Sequence, residues 1–306
     1  MKMKKMICLL LGTTMAFILT ACGSTASTET ASAEAAPAVA ESVESEAPAE
    51  EADAAALETE ESTEAETPSA DYTLIQDGTL SVGVEIGYPP FEDFAEDGVT
   101  PIGYDIDFAN ALAEKLGLEV NFINTAWDGI FSGIGTNYDV VISAVTITDE
   151  RKETMAFSEP YINSYQSIVV AEGSELTFTS LNDLDGKSVA LQKETTSDAL
   201  ITDLIDTKTI DATVVANEKV ITCFTQLTNG EVDCVLCDSP VADGYLSSSP
   251  GQYVKIFQDE TSPEQFGVAM SKDNTGLTEA INTAIAELES EGFFEANIAK
   301  WFGAGE

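Results

Sequence analysis

The sequence contains no histidine and has few basic residues. Its 306 residues include 13 Lys and Arg against 54 Asp and Glu, which gives a formal net charge of -41. Nucleic acids and anionic lipid headgroups attract basic surfaces, so this balance argues against both as partners. The absence of histidine also removes a usual zinc ligand and the most common general base. We therefore expect a small-molecule partner, no metal site and no cofactor.

Cysteine is also scarce, with five in the chain, of which three lie beyond position 200. Cys234 and Cys237 have the spacing of a redox or zinc pair, but no second pair follows, and they lie in an apolar run typical of a strand. We expect neither a metal nor a redox role for them. A disulfide between Cys223 and one of the other two remains an open alternative.

No apolar run near the amino terminus has the length of about 20 residues that a bilayer span needs. Lys2, Lys4 and Lys5 precede a shorter run, 6–19, which ends in Leu-Thr-Ala-Cys22. This order predicts a secretory signal peptide over residues 1–21. The last four residues resemble the lipobox of bacterial lipoproteins, which implies lipidation of Cys22 and anchoring at the outer face of the cell membrane through that lipid alone. An ordinary secretory signal with a chance cysteine is the alternative.

Residues 22–71 have a different composition. From Gly23 to Ala70 the chain is mostly Ala, Glu, Ser, Thr and Pro, without Lys, Arg or aromatic residues. Such a segment buries too little apolar surface to offset its ordering entropy, and its like charges repel each other. An Ala-rich helix is the alternative, which Pro37, Pro48 and Pro68 disfavour. We expect a disordered acidic tether.

From residue 72 onward, short apolar runs alternate with segments of helical period. We predict strands over 79–85, 118–123, 140–144, 167–170, 188–191, 212–215, 233–236, 253–257 and 266–270. The intervening helices include one with Ile106, Leu112 and Leu116 on one face, ending at Gly117. This alternation is typical of an α/β fold with a largely parallel sheet, and the length suits two lobes. Ligands of such sheets bind beyond the carboxyl ends of strands.

Several ordered motifs make the pattern specific: VGVEIGYPPF at 82–91, GYDID at 103–107, WDG at 127–129, YD at 138–139, TITDERK at 146–152, FSEPY at 157–161 and AKWFG at 299–303. Together they resemble the family 3 extracellular solute-binding proteins, the polar-amino-acid receptors of ABC importers. The resemblance implies a two-lobed periplasmic-binding-protein-like fold of type II with a ligand cleft between the lobes. It places lobe 1 at 72–169 and 267–306 and lobe 2 at 170–266, and it implies a monomer that docks on an ABC transporter permease.

An amino acid presents a carboxylate and an ammonium, so its receptor needs a cation and an anion. Arg151 suits the carboxylate because a guanidinium binds it through two parallel hydrogen bonds. The resemblance assigns it this role, assisted by the Thr146 hydroxyl and by backbone N–H groups from Ala144 to Thr146. Thr148 is a candidate cap for the helix that carries Arg151. The alternative is that Arg151 pairs with a neighbouring acid on the surface.

The resemblance gives Asp238 the ligand ammonium, and it gives Tyr88 and Trp127 the two faces that enclose the ligand side chain. Asp238 follows an apolar strand, so its carboxylate belongs at a strand end. Two alternatives compete with these roles. Asp238 precedes Ser-Pro and is also an ordinary helix or turn cap, and Trp127 is a candidate core residue.

From the second lobe, Gln192, Thr195 and Thr196 match the turn that closes over the ligand carboxylate. This chain departs from many relatives at Lys193-Glu194 and at Ala144, where Gly or Ser is common. Glu85 stands where relatives often have an acid directed at the ligand side chain. Such an acid favours a cationic or amide-bearing ligand, unless it points to solvent.

Contacts shared between two lobes imply that ligand favours a closed form over an open form. We expect hinges near 169–172 and 264–268. Two other functions compete with transport. A cyclohexadienyl dehydratase-type enzyme would need acid-base chemistry from carboxylates such as Glu85 or Asp238. A ligand-sensing module would act through a separate receptor.

Overall fold

The computed structural model describes residues 72–303. The predicted signal peptide, the lipidated Cys22 and the acidic tether lie outside these residues. The strands are β1 Thr79–Val84, β2 Asp93–Phe94, β3 Pro101–Ile102, β4 Glu119–Asn124, β5 Val140–Val141, β6 Ala156–Phe157, β7 Ile162–Ser164, β8 Gln166–Ala171, β9 Ser188–Gln192, β10 Thr213–Asn217, β11 Cys234–Asp238, β12 Tyr253–Gln258, β13 Glu264–Phe266 and β14 Ala269–Met270.

The helices are α1 Tyr104–Leu116, α2 Asp149–Thr154, α3 Thr196–Asp206, α4 Val220–Thr228, α5 Ser239–Ser248, α6 Thr275–Ser290 and α7 Phe293–Trp301. Short 3₁₀ segments occupy Ile130–Gly133 and Leu181–Leu184. None of the described helices is long and apolar enough to cross a bilayer.

Ten of the fourteen described strands form two five-stranded sheets, with the orders β4-β1-β5-β14-β6 and β10-β9-β11-β8-β12, and β2 pairs with β3 separately. In each sheet the three strands at one end run parallel and the other strands pair antiparallel. We call the first sheet with its covering helices lobe 1 and the second sheet with its helices lobe 2. The predicted α/β fold is confirmed, and the antiparallel strands make each sheet mixed.

Hydrophobic periodicity locates the faces of the helices correctly. On α1 the side chains of Ile106, Leu112 and their neighbours Ala109 and Ala113 are buried. This helix ends at Gly117, whose φ of 68° is the left-handed conformation that favours glycine. The predicted apolar stripe of α6 is also buried, at Leu277, Ile281, Ile285 and Leu288. Burial of these stripes fixes the helices against the sheet of lobe 1.

Two chain crossovers connect the sheets, and their strands pair with each other. β7 joins β6 to β8, β13 joins β12 to β14, and β7 and β13 form a separate antiparallel pair. The predicted lobe boundary at residue 170 falls inside β8, all of which lies in the sheet of lobe 2. We therefore propose that lobe 2 begins near Gln166 and that the β7–β13 pair is the hinge.

Two predicted strands differ from the structure. The strand predicted over 266–270 is divided, because Phe266 ends β13 and β14 begins at Ala269 in a different sheet. Both environments are buried, so the apolar pattern does not reveal the change of partner. The strand predicted over 140–144 ends at Val141, since the chain turns at Ala144, which has a φ of 48°.

The three late cysteines are free thiols, and all are buried. Burial raises the pKa of Cys223 and of Cys234 to about 12, so both stay protonated. The alternative of a disulfide at Cys223 is not realised in this structure.

Candidate ligand-binding site

A narrow cleft lies between the two sheets, at the carboxyl ends of β1, β9 and β11. Glu85 follows β1, Gln192 ends β9 and Asp238 ends β11. The cleft is lined by Glu85, Tyr88, Trp127, Ser143, Ala144, Thr146, Arg151, Gln192, Thr195, Thr196 and Asp238. The structure thus brings together all ten residues that the sequence singled out, and it adds Ser143. Their positions are observed, whereas their roles in ligand binding stay predictions.

Arg151 is a cation of the cleft that has no carboxylate partner at ion-pairing distance among residues 72–303. Thr148 caps α2, since its hydroxyl accepts a hydrogen bond from the Arg151 backbone N–H at 3.1 Å. The guanidinium donates to the Thr146 carbonyl at 2.8 Å and lies 5.5 Å from the ring centroid of Trp127. Within residues 72–303 it forms no ion pair, so the alternative of a surface pair is not realised. Burial lowers the pKa of Arg151, which is the direction expected for a desolvated cation.

The backbone N–H of Thr146 is a free hydrogen-bond donor beside the Arg151 guanidinium within the described residues. Thr146 stands opposite Phe266 in an isolated antiparallel bridge. The hydrogen bonds of this bridge are on either side of Thr146: the Ile147 N–H donates to the Gln265 carbonyl at 2.8 Å, and the Gly267 N–H donates to the Val145 carbonyl at 3.0 Å. The N–H and carbonyl of Thr146 therefore point away from the partner strand. The carbonyl accepts from Arg151, and no acceptor for the N–H lies in the described part of the chain.

Ala144 does not supply the backbone donor that the sequence predicted. Its N–H donates to Asp105 Oδ2 at 2.6 Å, behind the cleft. Asp105 is buried, and burial raises its pKa to about 7. The prediction of N–H donors from Ala144 to Thr146 is thus wrong at Ala144, whose N–H is already bonded to a side chain distant in sequence.

The amino terminus of α3 approaches the same region from lobe 2. Thr195 is the N-cap, and its hydroxyl accepts from the Asp198 N–H at 3.4 Å. The hydroxyls of Thr146 and Thr196 donate to one oxygen, Glu264 Oε2, at 3.2 and 3.0 Å. The two threonines are therefore close together although they belong to different lobes. A helix amino terminus attracts anions, so Arg151, the Thr146 N–H and α3 form a region suited to a carboxylate.

Asp238 provides the opposite charge. It is 5% exposed and accepts hydrogen bonds from the Tyr88 hydroxyl at 2.6 Å and from Gln166 Nε2 at 3.1 Å. It occupies the N-cap position of α5 without a side-chain capping bond, so the alternative of a helix cap is not realised. Burial, and then the charge of Glu264, raises the pKa of Asp238 to about 7. No described cation lies within ion-pairing distance of this carboxylate.

Glu85 and the two aromatic residues occupy the remaining part of the cleft. Glu85 is 3% exposed and accepts from Gln192 Nε2 at 2.7 Å, so it faces the cleft and not solvent. Burial raises its pKa, and the Gln192 hydrogen bond and the Lys219 charge oppose that shift. Trp127 lines the cleft but also packs against core residues, with its ring centroid 5.3 Å from that of Phe131. Trp127 therefore both lines the cleft and belongs to the hydrophobic core of lobe 1.

The comparisons with known proteins agree with this geometry. Residues 80–304 match the model of the bacterial extracellular solute-binding proteins, family 3. The chain belongs to this family. The L-cystine-binding protein TcyJ of Escherichia coli K12 is 35% identical over 231 residues, which cover 74% of this chain and 84% of that protein. The ABC transporter arginine-binding protein 1 of the same organism is 30% identical over 228 residues, 73% and 90% of the two chains.

Solved structures of this family have the same two-lobed fold. An ancestral arginine-binding protein bound to arginine is 36% identical, with a TM-score of 0.68, and the match covers 74% of this chain and 99% of that one. The ancestral amino acid-binding protein AncCDT-1, a precursor of cyclohexadienyl dehydratase, is 32% identical, with a TM-score of 0.67 over 74% and 96% of the chains.

Three residues of this solute-binding protein, Ser143, Gln166 and Glu264, were not predicted as site residues; Ser143 lines the cleft, and Gln166 and Glu264 contact residues that line it. The Oγ of Ser143, which lines the cleft, accepts from the Glu85 N–H at 3.1 Å. Gln166 Nε2 lies 3.0 Å from Glu264 Oε1 and 3.1 Å from Asp238 Oδ1. Gln166 begins β8, which pairs antiparallel with β11 so that it stands opposite Asp238. Gln166 lies at the amino end of its strand, so a search limited to the carboxyl ends of strands does not identify it.

The solute-binding protein adopts a closed conformation in which polar groups meet across the cleft. Tyr88 of lobe 1 donates to Asp238 of lobe 2, and Trp127 Nε1 donates to the Glu194 carbonyl at 3.1 Å. Gln192 of lobe 2 reaches Glu85 of lobe 1. The closed form therefore brings Arg151, Asp238 and the two aromatic side chains to one compartment.

Proposed function

We propose that this protein captures a free polar amino acid outside the cytoplasm and delivers it to an ABC importer. The observation that carries the proposal is a pair of opposite charges that line one cleft and form no ion pair with each other or with another described residue. Arg151 has no carboxylate partner and Asp238 has no cation partner at ion-pairing distance among the described residues, although Asp238 is buried and Arg151 is partly buried. Buried charges are unfavourable unless they are paired. The α-carboxylate and α-ammonium of one amino acid supply both partners.

Within this proposal each region of the cleft has a role. Arg151, the Thr146 N–H and the start of α3 bind the carboxylate, with contributions from Thr195 and Thr196. Asp238 binds the ammonium, which replaces the hydrogen bond that Asp238 accepts from the Tyr88 hydroxyl in this structure. Tyr88, Trp127, Glu85 and Gln192 surround the ligand side chain. Because these groups come from both lobes, the closed form binds best, and ligand shifts the population toward it.

The comparisons favour binding over the dehydratase alternative, since the relatives named above are amino-acid-binding proteins. The transporter role follows from the same family membership. We further propose that Cys22 carries a lipid that holds a monomeric receptor at the outer face of the membrane, which mass spectrometry of the mature amino terminus tests.

A thermal-shift screen tests the function. Residues 72–306 are unfolded to remove bound ligand, refolded and heated with each of the twenty amino acids and with cystine, prephenate, simple sugars and dipeptides. A ligand that binds only the folded state raises the melting temperature with the logarithm of its concentration. We expect one or a few polar amino acids to give a rise of several degrees. A rise with prephenate or sugars and none with any amino acid would contradict the proposal.

A further inference from the structure

The side-chain end of the cleft already contains a cation of the protein. Lys219 directly precedes α4 in lobe 2 and reaches across to lobe 1. Its Nζ donates to the Ile86 carbonyl at 2.8 Å and lies 3.7 Å from Glu85 Oε1. A Cβ at Gly87 would lie 3.1 Å from Nζ, so the ammonium passes close to the backbone of lobe 1. Lys219 therefore covers the carboxylate from one side.

Both oxygens of Glu85 are engaged in the closed form. Oε2 accepts the amide hydrogen of Gln192, and Oε1 faces the Lys219 ammonium. Glu85 thus differs from Asp238, which has no described cation at ion-pairing distance. A ligand whose side chain carries a positive charge would meet a Glu85 carboxylate that already pairs with the Lys219 ammonium. It would also be repelled by the positive charge of Lys219.

We propose that Lys219 determines the class of ligand, so that the cleft selects amino acids whose side chain is polar but has no net charge. This inference rests on the proposed amino-acid-binding function. The Glu85–Lys219 pair presents one negative and one positive group, which complement an amide, a ureido group or a second zwitterionic head. Without the Lys219 charge, the same compartment would contain an uncompensated buried carboxylate, which favours a cation.

Citrulline and arginine provide a matched pair of probes, because they have nearly the same shape and differ in side-chain charge. Lys219→Gln removes the charge while it keeps a donor for the Ile86 carbonyl. The control is Lys193→Gln, since Lys193 is a lysine of the same lobe that pairs with Asp128 and Glu218 and not with Glu85. Dissociation constants are measured by calorimetry for these two probes and for the tightest ligand of the full amino-acid set.

We expect the native protein to prefer a neutral polar side chain and to bind citrulline more tightly than arginine. Lys219→Gln should shift the ratio of the two dissociation constants toward arginine by about tenfold or more, and Lys193→Gln should leave this ratio within twofold. Tightest binding of arginine, lysine or ornithine by the native protein, or an unchanged ratio in Lys219→Gln, would overturn the inference and leave the proposed function intact. Absence of binding by every amino acid would overturn both.

Discussion

Replacing Arg151 with alanine is expected to weaken binding of the amino acid strongly. The substitution leaves the ligand carboxylate buried without its cation, and loss of one member of a buried charge pair costs about 2–5 kcal/mol. This corresponds to a dissociation constant raised by roughly 30-fold to several thousand-fold. Titration calorimetry of the native and variant proteins with the same amino acid measures the difference.

Arg151→Lys separates charge from geometry. Lysine keeps the positive charge but cannot form two parallel hydrogen bonds to a carboxylate, so we expect an affinity between those of the native protein and Arg151→Ala. Arg151 forms no ion pair within the described residues, so both variants should keep the melting temperature of the ligand-free protein within a few degrees. Native-like affinity in Arg151→Ala would remove Arg151 from the carboxylate site.

Asp238 is expected to make ligand affinity depend on pH near neutrality. Its pKa is raised to about 7 in the ligand-free protein by burial and by the nearby Glu264. The ligand ammonium binds the ionised carboxylate, so binding below this pKa must release a proton. Affinity should therefore increase with pH between about 5 and 7 and level off above it, with about 1.4 kcal/mol per pH unit below the pKa. Calorimetry at fixed ionic strength over pH 5–8.5 measures this profile.

Two variants assign the profile to Asp238. Asp238→Asn keeps an oxygen that can accept the Tyr88 hydrogen bond but loses the charge, so binding should weaken by about 2–5 kcal/mol and lose its pH dependence. Glu264→Gln removes the second cause of the raised pKa, so the increase in affinity should level off at lower pH. A pH-independent native affinity, or a profile unchanged in Asp238→Asn, would show that another group controls ligand binding.

Secondary structure could be predicted from the sequence where a segment keeps one hydrophobic periodicity and packs in one environment. The buried faces of α1 and α6 were recognisable because each helix packs a single apolar stripe against one sheet. The parallel strands were recognisable as short apolar runs between helical segments: β1, β4, β9 and β10. The carboxyl end of β11 then indicated Asp238, whereas Gln192 was predicted from the family resemblance. The division between β13 and β14 was not recognisable, because Phe266 at the end of β13 and the two residues of β14 are all apolar and buried, and only their strand partners differ.

The missed features of the site depend on contacts between residues far apart in the chain. Gln166 reaches Asp238 through antiparallel pairing, and Asp105 takes the Ala144 N–H from 39 positions away. Lys219 meets Glu85 only because α4 of lobe 2 faces the end of β1. A local motif predicts which residue types line a cleft, whereas the charge that balances each of them is set by the tertiary fold.

Calorimetry with blocked ligands tests the central claim most directly. The tightest amino acid from the screen is compared with its methyl ester, which lacks the carboxylate charge, and with its N-acetyl derivative, which lacks the ammonium. We expect the free amino acid to bind and each blocked form to lose at least about 2 kcal/mol of binding free energy, because Arg151 or Asp238 is then left unpaired. Equal binding of all three compounds would contradict recognition through these two charges.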